Sequence, residues 1–156
     1  MRLTKFTDYS LRVLLYAATL KPNQLATIED TSNLYDISRA HLKKVVLQLI
    51  HEGFLEGVRG RSGGFRLARP ADQINLGQVV RKSEPDFDLA ECFLPENTCR
   101  ITKGCRLPIV LNMALSNFLS TFDDFTLADV AVMPWCFGIL ELDSCSQRGP
   151  KSTKKS

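Results

Sequence analysis

Apolar residues in the first fifty positions recur every three or four residues, and this helical period constrains the fold more than any other feature. A first stripe predicts a helix over residues 7–20 and consists of Leu11, Leu14, Leu15 and Ala18. A second stripe follows Ser38, a favourable N-cap, and consists of Leu42, Val45, Val46, Leu49 and Ile50. Thr27 and Asp30 have the spacing of a weak capping box, which predicts a short helix between the two stripes.

The segment after the third predicted helix changes to a β pattern. Phe54 to Val58 and Phe65 to Leu67 are two short β-rich pieces separated by a glycine-rich turn, which predicts a hairpin. Two short helices joined by a tight turn and followed by such a hairpin form a winged helix-turn-helix. We expect residues 1–70 to form this unit, in a fold that is mainly α with a small β-hairpin wing.

Basic side chains are concentrated in this unit, and their positions indicate a nucleic-acid partner. The net charge of +3 is too small to decide the matter by itself. The residues of the third helix expected to face the major groove are Ser38, Arg39, His41, Lys43 and Lys44. The hairpin residues expected to contact the backbone or the minor groove are Arg59, Arg61, Ser62 and Arg66. The tip and flanks of the hairpin hold four arginines, the three just named and Arg69. Such a hairpin directly after a basic helix favours double-stranded DNA over a solvated basic surface.

Composition excludes several other classes of protein. The N-terminus lacks a continuous apolar segment ending in a cleavage site, and no run of about 18 apolar residues exists that could span a membrane. We therefore expect a cytoplasmic protein with no membrane partner. Five cysteines are an odd number, and in a reducing compartment they are a poor basis for a disulfide framework. Metal or redox chemistry is the better interpretation.

Beyond residue 70 the sequence predicts a connector helix within residues 71–86, a cysteine cluster loop over 87–106 and a long helix. The long helix carries apolar residues on two faces, namely Leu111, Ala114, Leu115, Phe118, Leu119 and Phe122 together with Ile109, Val110 and Met113. Such a helix in a small chain usually packs against a second copy, so residues 107–142 are expected to hold a dimerisation helix and a C-terminal helical segment. A core helix of the monomer is the alternative. Residues 143–156 are polar and basic, and we expect them to be disordered.

Three of the cysteines, Cys92, Cys99 and Cys105, lie in the polar loop with the spacing C-x6-C-x5-C. Structural zinc sites use closer pairs and four ligands, whereas three thiolates can hold an iron-sulfur cluster if another residue completes the ligand set. Three reduced cysteines with no ligand role are the alternative, which the polarity of the loop weakens. Cys136 suits burial among apolar neighbours and Cys145 suits exposure near the tail, so both are left out of the site.

Three stretches together carry a resemblance to a known family: MRLTKFTDYSLRVLLYAA at the N-terminus, VRGRSGGFRLARP in the wing and CRITKGCRL in the loop. Over roughly Met1 to Val130 the chain resembles the IscR/NsrR family of bacterial iron-sulfur regulators, and within it the NsrR type of nitric-oxide-sensing repressors. The resemblance implies a homodimer that binds an imperfect palindromic operator and releases it when nitric oxide attacks the cluster. It also implies that the protein is not an enzyme.

The resemblance assigns the family's three cysteine ligands to Cys92, Cys99 and Cys105. IscR-type members have a histidine three residues after the last cysteine, where this chain has Pro108, which cannot ligate a metal and so argues against that type. NsrR-type members can use an acidic residue near the start of the other subunit's first helix, and Asp8 stands there. An aspartate in a first turn also favours the helix macrodipole, which is its alternative role. The cluster implied is either [4Fe-4S] or [2Fe-2S].

Three other functions are compatible with parts of the sequence. A regulator of iron or iron-sulfur supply would share the fold and differ in its signal. A zinc-stabilised interaction module would use the cysteines without binding DNA. A cysteine-based redox enzyme is disfavoured, because the chain has no C-x-x-C motif, no histidine near a cysteine and no nucleotide-binding glycine motif.

Overall fold

The computed structural model describes residues 2–137, apart from the side chains of Trp135 and Cys136. The predictions for the tail over 143–156, for the burial of Cys136 and for the exposure of Cys145 lie outside the described residues. The same holds for the last part of the helical segment predicted to reach residue 142. Among the residues described, none of the helices combines the length and the apolar character that crossing a bilayer requires.

Within residues 2–137 the chain forms six α-helices and one two-stranded sheet. In chain order these are α1 (Lys5–Thr19), α2 (Ile28–Tyr35), α3 (Arg39–His51), β1 (Leu55–Val58), β2 (Gly64–Leu67), α4 (Leu76–Ser83), α5 (Leu107–Asp123) and α6 (Leu127–Val130). The two strands pair antiparallel, with Leu55 opposite Leu67 and Val58 opposite Gly64. The fold is therefore mainly α with a hairpin wing, which confirms the predicted class.

The first three helices begin at side chains that cap them. Thr27 and Ser38 each accept a hydrogen bond from the backbone N–H three residues further on, at 3.0 and 3.3 Å, as their sequence positions predict. The first helix begins at Lys5, two residues earlier than predicted, because Thr4 caps it in the same way. Asp36 ends α2 with a positive φ of 52°, which turns the chain into α3.

One apolar core joins the N-terminal unit to the helices that follow the wing. Its members from the first 70 residues include Val13, Leu14, Leu42, Val45, Leu49 and Phe65. Its members from beyond residue 70 are Ile74, Leu76, Val79 and Leu127. Because each buried leucine, valine or phenylalanine contributes about 1.5–3 kcal/mol, this shared core sets the positions of α1, α3 and the wing together.

The C-terminal end of α5 is tied to α4 and to the residues just before it. The guanidinium of Arg81 donates to both carboxylate oxygens of Asp123, at 2.5 and 2.7 Å. The side-chain amide of Asn75 donates to the backbone oxygen of Asp123 at 2.7 Å. Directly after α5, the N–H of Leu127 donates to the backbone oxygen of Ile74 at 2.8 Å. These contacts fix the end of α5 to the body of the protein.

The apolar residues of α5 divide into two sets. Those half-buried against the rest of the chain are Leu111, Leu115, Phe118, Leu119 and Phe122. Those exposed to solvent are Leu107, Ile109, Val110 and Met113, with exposed fractions of 55 to 62%. One apolar side of this helix is thus partly covered by the rest of the chain, and the other side is exposed to solvent.

Residues 134–137 bring the chain back to the helix-turn-helix. The ring of Phe137 meets the rings of Tyr16 in α1 and Tyr35 in α2 edge to face, each with 6.0 Å between ring centres. The described part of the C-terminal segment therefore packs on the N-terminal unit.

Candidate nucleic-acid interface and cysteine loop

The third helix presents a polar outer side and an apolar inner side. Its buried residues are Leu42, Val45, Val46 and Leu49. Its exposed residues in the first three turns are Arg39, Ala40, His41, Lys43, Lys44 and Leu47. The three-residue turn at 36–38 sets this helix after α2 in the arrangement of a helix-turn-helix, whose second helix enters the major groove.

Not every predicted groove-facing residue is available to DNA in the same way. The hydroxyl of Ser38 accepts the N–H of His41 as the cap of α3. The guanidinium of Arg39 forms an ion pair with Glu29 of α2 at 2.5 Å. Lys43 is exposed and, among residues 2–137, has no carboxylate within ion-pair distance; the same holds for its neighbour Lys44.

The hairpin is anchored to the chain before α2. The backbone N–H and oxygen of Phe65 exchange hydrogen bonds of 2.8 Å with Ala26, and the Phe65 ring is buried beneath the wing. Gly64 lies against the same backbone, where a Cβ would stand 2.3 Å from the oxygen of Ala26, so only glycine fits. The base of the wing is thereby fixed, while its tip extends away from the body.

The tip of the wing carries the residues predicted to contact DNA. Arg59, Arg61 and Ser62 lie in the turn between the strands, and all three are exposed. Arg66 lies on β2, opposite Glu56 on β1, with 2.6 Å between its guanidinium and that carboxylate. The structure therefore gives two exposed tip arginines and one arginine that is already paired.

The three cysteines of the site lie in the irregular segment between α4 and α5. All three are free thiols; Cys99 is exposed, and Cys92 and Cys105 are half-exposed. The carboxylate of Glu91 accepts the N–H and the hydroxyl of Thr98 at 3.1 and 2.7 Å, and these hydrogen bonds lower the pKa of Glu91. Apart from one 3-10 turn over Glu91–Phe93, which contains Cys92, the segment is held by its own polar contacts rather than by an α-helix or a strand.

The residues fit an iron-sulfur cluster by their chemistry but are not assembled around one position in the single chain. Within residues 2–137, no three histidine, cysteine, aspartate or glutamate side chains lie close enough together to hold a metal ion. Three accessible thiols on one irregular loop are the donor set of such a cluster, whereas a closed structural zinc site needs four ligands. Binding would therefore require the loop to draw its thiols together.

Asp8 lies in the first turn of α1. Its carboxylate pairs with the guanidinium of Arg12, at 2.9 and 3.0 Å, and this hydrogen bonding raises the pKa of Arg12. The Tyr35 hydroxyl donates to the backbone oxygen of Arg12 at 3.0 Å, and burial raises the pKa of Tyr35 to about 12. Asp8 is thus connected through Arg12 to α2 of the helix-turn-helix.

Two contacts could not be found by reading the sequence. Glu84, at the end of α4, accepts the N–H of Thr4 at 2.7 Å and its hydroxyl at 3.2 Å, across 80 positions of the chain. It ties the start of α1 to the point where the cysteine segment begins. Arg69 follows the three wing arginines in sequence, but its guanidinium lies 5.2 Å from the centre of the Phe54 ring rather than at the wing tip.

A winged helix-turn-helix with a basic outer helix and exposed arginines at the wing tip defines a DNA-binding transcriptional regulator. The chain belongs to the Rrf2 family, described as iron-dependent transcriptional regulator, whose family model matches residues 3–132. Members of this class are not enzymes.

Curated relatives are similar over most of the chain. The HTH-type transcriptional regulator NsrR of Bacillus licheniformis is 47% identical over 131 residues, which are 83% of this chain and 92% of that protein. NsrR of Bacillus subtilis (strain 168) is 46% identical, covering 83% of this chain and 90% of its own. NsrR of Shouchella clausii is 41% identical, covering 85% and 89%. These similarities confirm the resemblance to NsrR-type regulators.

Solved structures share the fold at lower identity. CymR, the global cysteine regulator of B. subtilis, gives a TM-score of 0.63 at 23% identity; the match covers 84% of this chain and 96% of that chain. IscR of T. potens gives a TM-score of 0.64 at 21% identity and covers 83% and 85%. These likenesses support the winged-helix fold.

Proposed function

We propose that the chain is a cytoplasmic, homodimeric repressor that holds an iron-sulfur cluster, senses nitric oxide through it and then releases a palindromic operator. The observation that carries the proposal is the presence of three accessible thiols on one segment beside a winged helix-turn-helix. The NsrR-type relatives support it, because the family resemblance implies this signal and this cofactor.

The proposed ligands are Cys92, Cys99 and Cys105 of one subunit and Asp8 of the other. Bound there, a [4Fe-4S] or [2Fe-2S] cluster supplies iron atoms to which nitric oxide binds. Thiolates are soft ligands that hold iron in such clusters firmly, while a carboxylate is a harder and more readily exchanged ligand. The acidic position is therefore the weak point of the ligand set.

Arg12 provides the alternative partner for a released Asp8. In the structure the two side chains are bound to each other, so the guanidinium one turn away would hold the Asp8 carboxylate whenever that carboxylate is not a ligand. Because α1 packs against α3 and α4, a change at the start of α1 can alter the position of the DNA-reading helix. The two DNA-reading helices of the dimer must fit half-sites about one DNA turn apart. A small shift of one helix relative to the other can therefore misalign them.

The exposed side of α5 is the proposed dimer seam. Ile109, Val110 and Met113 are large apolar side chains, each more than half exposed on a helix that is otherwise fixed to its own chain. A second copy related by a two-fold axis would cover this surface with an identical one. The palindromic symmetry of the proposed operator follows from the same axis.

The proposed DNA contacts divide between groove and backbone. His41, Lys43 and Lys44 of α3 face the major groove, with Ser38 and Arg39 at the helix start. Arg59, Arg61, Ser62 and Arg66 of the wing contact the phosphate backbone or the minor groove. Neutralising phosphates with these side chains would make affinity strongly dependent on salt.

A titration of anaerobically purified protein with nitric oxide tests the proposal. Operator affinity and visible absorbance are recorded together after each addition, and we expect both to fall in parallel. Each of Cys92→Ala, Cys99→Ala and Cys105→Ala should give colourless protein, whereas Cys145→Ser should keep the colour. Affinity that persists after the cluster absorbance is lost would disprove the sensing mechanism.

Assays on the same purified protein distinguish the two alternative functions from the proposed one. Loss of operator binding on iron depletion, with no response to nitric oxide, would indicate a regulator of iron or iron-sulfur supply, which the description of the family as iron-dependent favours as the second candidate. Colourless protein containing stoichiometric zinc, with no affinity for any duplex, would indicate a zinc-stabilised interaction module.

A further inference from the structure

We infer that Leu47 of α3 is a specificity-determining residue that contacts the 5-methyl group of a thymine in the operator. The inference rests on the proposed DNA interface and adds to it a residue that the pattern of basic side chains does not reveal.

The position of Leu47 on the helix singles it out. Its side chain is 57% exposed, while the other leucines of α3, Leu42 and Leu49, are buried. Successive residues of an α-helix are rotated by about 100° about its axis. Leu47 therefore points within about 20° of the direction of Ala40, and it lies between the directions of Lys43 and Lys44. It therefore stands at the centre of the outward side of α3, opposite the core.

The neighbours of Leu47 indicate what covers it. Lys43 and Lys44 flank it with ammonium groups that are attracted to the phosphates on either side of a groove. An α-helix with its side chains is about 10–12 Å across, which fits a major groove about 12 Å wide. An apolar side chain directed to the floor of that groove meets base edges rather than phosphate.

The chemistry of the base edges selects the contact. The major-groove edges of the four base pairs carry hydrogen-bond donors and acceptors, and the apolar group among them is the C5-methyl of thymine. Leucine offers no hydrogen bond, so it can discriminate through this methyl. The basic residues around it orient the helix, and Leu47 adds a preference at one base pair of each half-site.

The test begins with selection from a random duplex pool by the full-length, anaerobically purified chain. The selected duplex is then remade with deoxyuridine in place of each thymidine in turn, which removes only the methyl group. We expect one thymidine per half-site at which this change weakens binding about fourfold, equivalent to about 0.8 kcal/mol for one buried methyl. Leu47→Ala removes this contact from both half-sites of the dimer, so it should weaken binding to the unmodified duplex by about the square of that factor.

The coupling between the two changes decides the question. With Leu47→Ala, removing that thymine methyl should have no further effect, because the contact is already lost. Leu47→Met keeps an apolar side chain and should retain the sensitivity to the methyl. Lys44→Ala is the matched control, and it should weaken binding to the thymidine and deoxyuridine duplexes by the same factor.

The outcomes separate this inference from the function on which it rests. If Leu47→Ala responds to every methyl removal as the unmodified chain does, the inference is wrong while the DNA interface stands. If Leu47→Ala changes the oligomeric state and leaves methyl sensitivity intact, Leu47 belongs to a protein contact instead. If the unmodified chain enriches no sequence, the proposed function and the inference fall together.

Discussion

The carboxylate of Asp8 is bound to the guanidinium of Arg12 one turn along α1, with 2.9 Å between Oδ2 and Nη2 and 3.0 Å between Oδ1 and Nε. Both side chains are a little over two-fifths exposed. Exposed pairs at this helical spacing contribute only about 0.3–0.5 kcal/mol. The proposed acidic ligand is therefore paired in the single chain, but weakly enough that iron could compete with Arg12 for it.

Removing the competing arginine should strengthen the proposed ligand. In Arg12→Gln the Asp8 carboxylate has no ion-pair partner to give up, so we expect slower loss of visible absorbance when the anaerobic protein is treated with an iron chelator. Asp8→Ala should lose its absorbance faster than the unmodified chain, and the double variant should behave as Asp8→Ala does.

Lys5→Ala is the control for this experiment, because it removes a positive charge from the same end of α1 without breaking the Asp8 contact. It should leave the rate of absorbance loss unchanged. Equal rates for Asp8→Ala and the unmodified chain would show that Asp8 is not a ligand.

The salt dependence of operator binding should distinguish the two unpaired arginines at the wing tip from Arg66, which is already paired within the wing. Arg59→Ala and Arg61→Ala each remove one proposed phosphate contact per subunit, so each should reduce the slope of log affinity against log salt for the dimer by about two units. Arg66→Ala should have a smaller effect, since its guanidinium is bound to Glu56 at 2.6 Å. The measurement is operator affinity over a series of salt concentrations.

Lys103→Ala serves as the control for charge alone, because it removes an exposed cation from the cysteine segment rather than from the wing. Its slope should match that of the unmodified chain. A uniform effect of all four substitutions would mean that net charge, not the wing, determines the salt response.

A charge on the exposed side of α5 should prevent dimer formation. Met113→Glu would place an unpaired carboxylate in the proposed apolar seam, at a cost of several kcal/mol, and should give a folded monomer in sedimentation. Asn112→Glu adds the same charge beside that face and should remain dimeric.

Leu115→Glu should behave differently, because Leu115 is half-buried against its own chain beside the segment 84–89. We expect it to lower the melting temperature of the chain itself. A dimer that survives Met113→Glu would place the subunit contact elsewhere.

The Arg81–Asp123 pair should make the attachment of α5 sensitive to acid. Hydrogen bonds from Arg81 lower the pKa of Asp123 below its ordinary value near 3.8. A carboxyl whose pKa is lowered by folding stabilises the protein above its unfolded pKa, and this stabilisation is lost as the pH falls through the folded pKa. Asp123→Asn should therefore be less stable than the unmodified chain at neutral pH, and the difference should narrow below about pH 4.

Denaturant unfolding at a series of pH values measures this difference, and Asp124→Asn is the matched control. Asp124 is an exposed neighbour that forms no ion pair within residues 2–137. A constant difference between Asp123→Asn and the unmodified chain at all pH values would exclude the ion pair as its cause.

Local patterns in the sequence were sufficient to predict the helices and the hairpin. The caps at Thr27 and Ser38 act over three residues, and α4 (Leu76–Ser83) lies within residues 71–86, where a connector helix was predicted. The wing follows from the glycine-rich turn between two β-rich pieces. These features depend on interactions between residues close together in the chain, which is why the sequence by itself determined them.

Contacts between distant parts of the chain were decided by the tertiary structure alone. Glu84 meets Thr4 across 80 positions, and Asp123 meets Arg81 across 42. The uncovered side of α5 and the exposure of Leu47 also depend on which apolar faces the core accepts. Periodicity shows that a helix has an apolar side, but only the packing of all helices around one core decides which apolar residues are covered and which remain free to bind a partner.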